Sequence, residues 1–252
     1  MSELLLGRNA VREALRARRR TIERVLLAQG VEPGGSVAEI VTLCQQANIP
    51  LSRLAREDLT RLGGEIPHQG VAAQVSPYPL VDSDEILALA KERGEAPFIL
   101  ALDSLQDPQN VGSLLRSAEA VGVHGVLIPK RRAAGVTPAV SRASAGAVEH
   151  LRIAAVTNLA RTLEALKRQG MWVVGVEDHP KAQDYDAVDL DLPLALVLGG
   201  EGSGLGRLIA ERCDLLVRLP MRGQINSLNV AAAGAVILYQ AWNARRRRAE
   251  RP

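Results

Sequence analysis

Polar side chains that could take part in catalysis lie in three segments, each just beyond a strand-like apolar run. The candidates are Asn110, Arg116, Glu201, Ser227 and Asn229. The first two follow the run FILALDS, the third lies within LVLGGEGSGLG, and the last two follow LLVRLP. Such groups can orient a substrate and stabilise developing negative charge. Taken singly, each also has a structural interpretation, for example Asn110 as a helix cap and Arg116 as a surface charge.

The second segment is a glycine loop, because five of residues 199–206 are glycine. Glycine lets the backbone approach a ligand closely. The loop is not a phosphate-binding motif: Leu205 and Arg207 stand where G-x-G-x-x-G would need glycine, and no Gly-Lys pair of a Walker A motif is present. Glu201 would also repel a phosphate. The loop therefore favours a ligand with a cationic or hydroxyl-bearing part, with a plain strand-to-helix turn as the alternative.

The third segment places Asn226, Ser227 and Asn229 just before a predicted helix, VAAAGAVILYQAW. Capping a helix requires only one polar side chain, so the others are available to a site. The Ala-Ala-Ala-Gly run at the start of this helix has almost no side-chain bulk. Another helix, a second subunit or a ligand-holding loop must therefore pack close to it.

The elements that carry these segments alternate between near-continuous apolar strands and helices over residues 95–252. This pattern predicts a parallel sheet with helices on both faces, in which ligands bind beyond the carboxyl ends of the strands. A shorter alternation of helices and strands fills residues 1–76, and the proline-containing stretch SPYPLVDSD follows it. We therefore predict an α/β protein with domains over 1–76 and 95–252, joined by a linker over 77–94.

Two local predictions concern helices. Ser36 is a plausible N-cap of the helix SVAEIVTLCQQAN, and TPAVSRASAGAV, residues 137–148, is predicted as one helix.

The net charge of +3 is unevenly distributed. Residues 8–24 hold seven arginines against two glutamates, and two further basic clusters lie at 130–132 and 245–248. Basic clusters suit a polyanion such as RNA, although each alone is equally consistent with a solvated helix face. Aromatic residues are only 2% of the chain, so recognition by base stacking is not expected to dominate.

Several other classes of protein are disfavoured. Cys44 and Cys213 are isolated, and the four histidines have no metal-ligand spacing, so we expect neither a disulfide nor a metal site. No apolar run reaches the ~18 residues of a membrane span. The N-terminus lacks the pattern of a signal peptide, and a cytoplasmic location is expected.

The three segments together resemble the SpoU (TrmH-type) RNA ribose 2'-O-methyltransferases of the SPOUT class. The resemblance covers roughly residues 95–245 and is carried by Asp107-Pro108-x-Asn110-x-Gly112-x3-Arg116, Leu198-Gly199-Gly200-Glu201-Gly202-x-Gly204, and Leu219-Pro220-Met221 with Ser227-Leu228-Asn229-Val230-Ala231. The segment Leu6-Gly7-Arg8-Asn9-Ala10-Val11 is similar to the start of the small ribosomal-protein-like RNA-binding domain of the family's ribosomal RNA methyltransferases.

This resemblance implies a fold, a cofactor and a partner. The fold is a parallel α/β sheet whose C-terminal part forms a deep trefoil knot, and the Ala-rich helix would pack through the knot and against a second subunit in a homodimer. The cofactor is S-adenosylmethionine, and the partner is RNA. The implied cofactor-binding residues are Leu198, Gly199, Gly202, Leu219, Met221 and Leu228. The residues expected to bind RNA are Arg8, Arg12, Arg16 and Arg116.

The implied reaction transfers a methyl group from a sulfonium to a ribose 2'-hydroxyl. The family assigns activation of the hydroxyl to Arg116, but a guanidinium holds its proton above pH ~12. We therefore expect Arg116 to bind the neighbouring phosphate and stabilise the developing alkoxide. Asn110, Ser227 and Asn229 would orient the reacting groups. Glu201 would hold Arg116 or Asn110, or lie near the sulfonium.

The expected substrate is a guanosine of 23S ribosomal RNA. Transfer RNA and the ribosomal site that confers thiostrepton resistance are the alternatives within this activity. A nicotinamide- or flavin-dependent oxidoreductase would share the sheet and the glycine loop, and a non-catalytic RNA-binding module would share the basic clusters. Binding of S-adenosylmethionine without binding of NAD would separate these classes.

Overall fold

The computed structural model describes residues 2–32, 34–64, 66–202 and 204–249, which form two compact units. The N-terminal unit comprises Met1–Pro79 and Val136–His150. The large unit comprises Leu80–Gly135 and Leu151–Pro252. A segment from the middle of the chain thus belongs to the N-terminal unit, whereas we predicted two domains that are each continuous in sequence.

The helices and strands of the first 79 residues are β1 (Glu3–Leu6), α1 (Arg8–Ala17), β2 (Ile22–Ala28), α2 (Ser36–Gln46), β3 (Leu51–Leu54), α3 (Arg56–Gly63) and β4 (Val71–Val75). Those that follow are α4 (Ser83–Arg93), β5 (Phe98–Leu102), α5 (Pro108–Ala120), β6 (Gly125–Pro129), α6 (Pro138–Ala143), β7 (Ile153–Val156), α7 (Leu159–Arg168), β8 (Trp172–Val176), β9 (Gln183–Asp184), β10 (Leu194–Leu198), α8 (Arg207–Ala210), β11 (Leu215–Arg218) and α9 (Val230–Ala249).

The N-terminal unit contains a mixed sheet of four strands in the order β1-β4-β2-β3, in which β2 and β3 are parallel. The inward faces of these strands and of α1 and α2 form one apolar core. Gly35, not Ser36, occupies the N-cap position of α2. Ser36 is the first helical residue, so the predicted cap lies one position too far along the chain.

The predicted helix over 137–148 is shorter in the structure, where α6 is followed by a separate 3-10 helix, Ala147–His150. Ala145 and Gly146 both have positive φ, which ends the first helix. A Cβ on Gly146 would lie 2.7 Å from the Glu13 Cβ, so glycine is required for the close approach of this turn to α1. Because this contact is between residues distant in sequence, the local pattern gave no sign of it.

The stretch predicted as a linker, 77–94, contains a helix, because α4 occupies Ser83–Arg93. Asp82 and Glu85 form a capping box at its start, and Gly94 ends it in the left-handed conformation. Both prolines of this stretch precede the helix, and the capping pattern is the local signal that indicates where the helix begins.

The large unit confirms the predicted α/β architecture with a parallel sheet. Its seven strands have the order β7-β6-β5-β10-β8-β11-β9, and every pairing is parallel. One core cluster combines apolar residues of the sheet with the buried face of α7. Among the described residues, no helix is long and apolar enough to cross a membrane.

The sheet order places four strand ends side by side. β5, β10, β8 and β11 are neighbours, so the loops that begin at Asp103, Gly199, Glu177 and Leu219 leave the same edge of the sheet. The N–H of Asp103 donates to the Leu198 carbonyl at 2.8 Å, which fixes the start of the first loop beside the second. Segments that are distant in sequence therefore meet at this edge.

Candidate active site

Three polar side chains from three segments distant in sequence form one hydrogen-bonded cluster at this edge. Asn110 Nδ2 donates to Glu201 Oε1, and Asn229 Nδ2 donates to Asn110 Oδ1 at 2.9 Å. Asn229 Nδ2 also lies 3.4 Å from Glu201 Oε1. We call Asn110, Glu201 and Asn229 the strand-end cluster.

Helix capping determines which of these side chains is available to the site. Asp107 caps α5, because its Oδ2 accepts from the Asn110 N–H at 2.9 Å, and Pro108 begins the helix. Asn110 is therefore not the cap, and its amide is directed at Glu201. Asn229 serves α9 in addition to the cluster: its Oδ1 accepts from the N–H groups of Ala231 and Ala232 at 2.9 and 3.3 Å.

The larger cavity of this edge, about 580 Å³, lies beside the strand-end cluster. Its lining includes every residue that the resemblance implied for the cofactor: Leu198, Gly199, Gly202, Leu219, Met221 and Leu228. Ser227, Glu201 and Asn229 line it as well. This volume falls within the ~300–1,000 Å³ of sites for small molecules. The apolar residues and glycines of this lining are suited to an adenine ring.

The glycine loop is shaped by contacts that exclude a side chain. A Cβ on Gly199 would lie 2.2 Å from the carbonyl atoms of Gly204, so the loop folds back on itself at this point. Gly204 has a φ of +62°, and a Cβ there would lie 2.6 Å from Glu177 Oε1. Asp103 is buried, and its Oδ2 accepts from the Gly206 N–H at 2.8 Å, which ties the glycine loop to the end of β5.

A second cavity, of about 450 Å³, shares part of its wall with the first. Its lining is Ser104, Leu105, Gln106, Asp107, Asn110, Gly200 and Glu201. Because Gly200 and Glu201 line both cavities, the strand-end cluster stands at the wall where the two meet. A group bound in one cavity and a group bound in the other would approach each other at this wall.

Sequence reasoning missed the fourth loop of the site. Glu177 and Asp178, at the end of β8, line the larger cavity, as does Arg218 at the end of β11. The Arg218 Nε donates to Asp184 Oδ1 at 2.9 Å, and this hydrogen bond raises the pKa of the guanidinium. β8 is an apolar run in the sequence, and its position beside β10 in the sheet is what brings its last residues to the site. The sequence does not reveal that order of strands.

The structure does not bring Arg116 into either cavity. It lies exposed on α5, six residues beyond Asn110, and among the described residues it has neither a hydrogen-bond nor an ion-pair partner. Six residues correspond to about 1.7 turns of helix, so the two side chains leave α5 in different directions.

The three arginines predicted to bind RNA in the N-terminal unit have partners there. Arg16 contacts Glu13 and Glu39, and the hydrogen bond with Glu39 raises its pKa. Arg12 Nε lies 2.9 Å from Glu13 Oε1, and Arg8 Nε donates to the Gln69 carbonyl at 3.1 Å. These guanidinium groups retain further N–H donors for RNA, but the charges of Arg12 and Arg16 are partly neutralised by the glutamates.

No group of three or more His, Cys, Asp or Glu side chains with metal-binding geometry occurs within the part of the chain that the structure describes. Cys213 donates to the Ile209 carbonyl, and burial raises its pKa to about 12. Burial likewise raises the pKa of Cys44, to about 11. Both thiols are therefore protonated at neutral pH.

Comparisons with known proteins show what this chain is similar to. Residues 97–239 match the model of the SpoU rRNA Methylase family, and residues 4–81 match that of the RNA 2'-O ribose methyltransferase substrate-binding domain. The chain is 43% identical to the putative TrmH family tRNA/rRNA methyltransferase YacO of Bacillus subtilis. It is 40% identical to a putative TrmH family tRNA/rRNA methyltransferase of Staphylococcus saprophyticus. In both comparisons the match covers 96% of this chain and 96% of the relative. Its fold resembles the crystal structure of the SpoU methyltransferase AviRb from Streptomyces viridochromogenes in complex with AdoMet, with a TM-score of 0.80 and 26% sequence identity. The match covers 98% of this chain and 91% of AviRb.

Proposed function

Because the chain belongs to the SpoU family of RNA methyltransferases and uses S-adenosylmethionine, we propose that it methylates a ribose 2'-hydroxyl at the strand-end cluster. The observation that carries this proposal is the position of Asn110, Glu201 and Asn229 at the common wall of two cavities. In this proposal the larger cavity holds the cofactor and the smaller one receives the nucleotide.

The larger cavity fits S-adenosylmethionine in charge as well as in size. Glu177, Asp178 and Glu201 line it, while its one cationic lining residue among those described, Arg218, is paired with Asp184. An acidic lining favours a cationic ligand through Coulombic attraction. When bound, S-adenosylmethionine supplies a methyl group on an electrophilic sulfonium.

The residues of the cluster position the reacting groups. Glu201 Oε1 accepts from the amide of Asn110, so its main role is to orient the two asparagines rather than to take a proton. Asn110, which lines the smaller cavity, and Ser227, which lines the larger one, would hydrogen-bond the ribose from the two sides of the wall. These contacts would lower the entropic cost of aligning a weak nucleophile.

Arg116 remains the proposed cation for the developing alkoxide and the neighbouring phosphate. Its exposure and its lack of a partner among the described residues make it accessible to RNA. Since the guanidinium keeps its proton, a phosphate oxygen or a water molecule must accept the proton of the hydroxyl.

The test of this proposal is transfer of a labelled methyl group from S-adenosylmethionine to RNA, followed by digestion to nucleosides. A 2'-O-methylated nucleoside is expected, and in the undigested RNA the phosphodiester on its 3' side should resist alkaline cleavage. A methylated base would contradict the proposal. Binding of the cofactor without any transfer to RNA would favour the alternative of a non-catalytic RNA-binding module.

We propose that the RNA substrate is 23S ribosomal RNA and that a guanosine is methylated. The support is the resemblance of the N-terminal residues to the RNA-binding domain of ribosomal RNA methyltransferases. Residues 4–81 match a substrate-binding model, which supports the N-terminal unit as an RNA-binding module. The names of the relatives leave transfer RNA open. Mapping 2'-O-methyl groups in ribosomal and transfer RNA from a strain that lacks this chain would identify the substrate.

A homodimer built on α9 is a further part of the proposal. One side of this helix is covered within the chain, since a Cβ on Gly234 would lie 2.3 Å from Leu114 and 2.6 Å from Leu198. This packing accounts for the small residues at its start. Val236 and Tyr239 remain 41% and 45% exposed on another side, which is the support for a partner subunit. Tyr239→Glu is expected to give a monomer by light scattering, and a monomeric, fully active wild type would exclude the dimer.

The trefoil knot implied by the resemblance is also retained as a proposal. Its support is that β10 pairs between the earlier strands β5 and β8, while the loop after β11 returns to line the same cavity as the loop after β10.

A further inference from the structure

We propose that Lys130, Arg131 and Arg132, which follow β6, bind the phosphates of the RNA strand that carries the reacting ribose. This inference rests on the proposed function and assigns part of the substrate-binding surface to the large unit. The three residues are exposed, and their side chains make no ion pair with any described residue. We call them the β6 basic edge.

The β6 basic edge is attached to the wall of the smaller cavity. β6 pairs with β5, so the loops after these two strands leave the sheet side by side. The N–H of Ala134 donates to the Leu105 carbonyl at 2.8 Å, and Leu105 lines the 450 Å³ cavity. At its other end the loop is held by the N–H of Lys130, which donates to the Val156 carbonyl at 2.9 Å.

The smaller cavity itself has no cationic residue in its lining to bind a phosphate. The ionisable residues in its lining are Asp107 and Glu201, and both are acidic. A ribose can enter such a cavity because its hydroxyls donate to carboxylates, but the phosphates on either side of it would be repelled. Cations at the rim are therefore required, and the β6 basic edge is joined to that rim.

The side chains of the β6 basic edge are not paired with carboxylates, unlike those of Arg12 and Arg16 on α1. Arg12 and Arg16 are engaged by Glu13 and Glu39, and part of their charge is already neutralised. Phosphate contacts yield affinity mainly by releasing counterions from RNA, which requires cations that are free to replace those counterions. The unpaired edge is better suited to this role than the paired arginines.

The experiment compares two double variants of the full chain that each remove two exposed positive charges. Arg131→Gln/Arg132→Gln alters the edge, and Arg161→Gln/Arg168→Gln alters α7 as a matched control, since both of its arginines are exposed on the large unit. The candidate probes are a 23S ribosomal RNA transcript and pooled transfer RNA. Binding is measured with whichever of these accepts methyl groups from the wild type. The dissociation constant is measured against salt concentration, with cofactor affinity measured by calorimetry.

The edge variant is expected to bind RNA about tenfold more weakly. The slope of log affinity against log salt concentration should be smaller in magnitude by roughly 1.4–1.8, which is the change for two lost phosphate contacts. Its affinity for S-adenosylmethionine should match that of the wild type, and the control should keep most of its RNA affinity and salt slope. Equal losses in the two variants, or none in the edge variant, would overturn this inference while leaving the proposed function intact. A wild type that neither binds nor methylates either RNA would overturn both.

Discussion

The N-terminal unit and the large unit each contain a polar cluster built around a glutamate, but their surroundings are opposite. In the N-terminal unit, Arg20 Nε lies 3.0 Å from Glu149 Oε2, and both side chains are almost completely buried. In the large unit, the Glu201 carboxylate accepts from Asn110 beside two open cavities. A buried cluster can only join parts of the chain, whereas an open one can act on a ligand.

The buried cluster connects segments that are far apart in sequence. Arg20 also pairs with Glu3 at 2.9 Å, and its guanidinium lies over the ring of Tyr78, whose hydroxyl donates to the Val148 carbonyl. Burial raises the pKa of Glu149, against the opposing charge of Arg20. This cluster therefore holds residues 136–150 against the N-terminal sheet. The comparison predicts that variants of the buried cluster lose stability and that variants of the open cluster lose activity.

The largest expected effect is on stability, from Arg20→Leu. This change leaves Glu149 buried without its cation, and breaking such a pair costs about 3–5 kcal/mol. We expect a large loss in the free energy of unfolding of the N-terminal unit, measured by urea denaturation, with unchanged affinity for S-adenosylmethionine. Arg16→Leu, which removes exposed ion pairs only, is the control and should change stability little. Equal effects of the two changes would remove the distinction between buried and exposed pairs.

The next largest effect is on the reaction, from Arg116→Ala. Loss of a cation that stabilises the alkoxide should lower the rate of transfer by about 100-fold or more, with cofactor affinity changed by no more than about threefold. Arg116→Lys should also be poor, because lysine cannot offer a planar, bidentate donor to a phosphate. Single-turnover assays at saturating RNA would measure the rate. Retention of more than about a tenth of the wild-type rate would mean that Arg116 has no central role.

Asn229 allows capping and chemistry to be separated, because its Oδ1 caps α9 while its Nδ2 belongs to the cluster. Asn229→Asp keeps a capping oxygen but places a second carboxylate near Glu201. It should retain most of its stability and lose about tenfold or more in rate. Asn229→Ala should lose rate as well as about 1 kcal/mol of stability through the missing cap. If Asn229→Asp transferred methyl groups at the wild-type rate, Asn229 would be a structural residue only.

The smallest expected effect is a dependence of stability on pH through His124. Its Nδ1 accepts from the Phe98 N–H at 2.9 Å, and burial lowers its pKa below 6.5, although Glu95 opposes this shift. As the pH falls below about 6.5, His124 therefore binds fewer protons in the folded chain than in the unfolded chain. The free energy of unfolding should decrease in that direction. His124→Gln should flatten the dependence of the melting temperature on pH between 7 and 5. An unchanged profile would assign this dependence to other groups.

Part of this architecture could be predicted from the sequence because it is encoded locally. The apolar strands, the Asn158 cap of α7 and the glycine loop each depend on neighbouring residues. The three motif segments were grouped by family resemblance, and the parallel sheet explains why they meet. The assignment of 136–150 to the N-terminal unit and the role of Glu177 depend on strand order and long-range packing. Neither leaves a periodic signal in the chain.

The central claim, that the 580 Å³ cavity at the strand ends holds the cofactor, is tested most directly by two glycine substitutions. Gly199→Ala places a methyl group against the backbone of Gly204, whereas Gly223→Ala, in another loop of the same edge, meets no atom within 4 Å. Ala233→Leu is a second variant that narrows the cavity. The three purified variants and the wild type would be titrated with S-adenosylmethionine by calorimetry, and circular dichroism would verify that each is folded.

We predict that the wild type and Gly223→Ala bind the cofactor alike, while folded Gly199→Ala and Ala233→Leu bind it at least about tenfold more weakly, a difference of about 1.4 kcal/mol. Wild-type affinity in both Gly199→Ala and Ala233→Leu would contradict this account, because the cofactor would then bind somewhere other than this cavity.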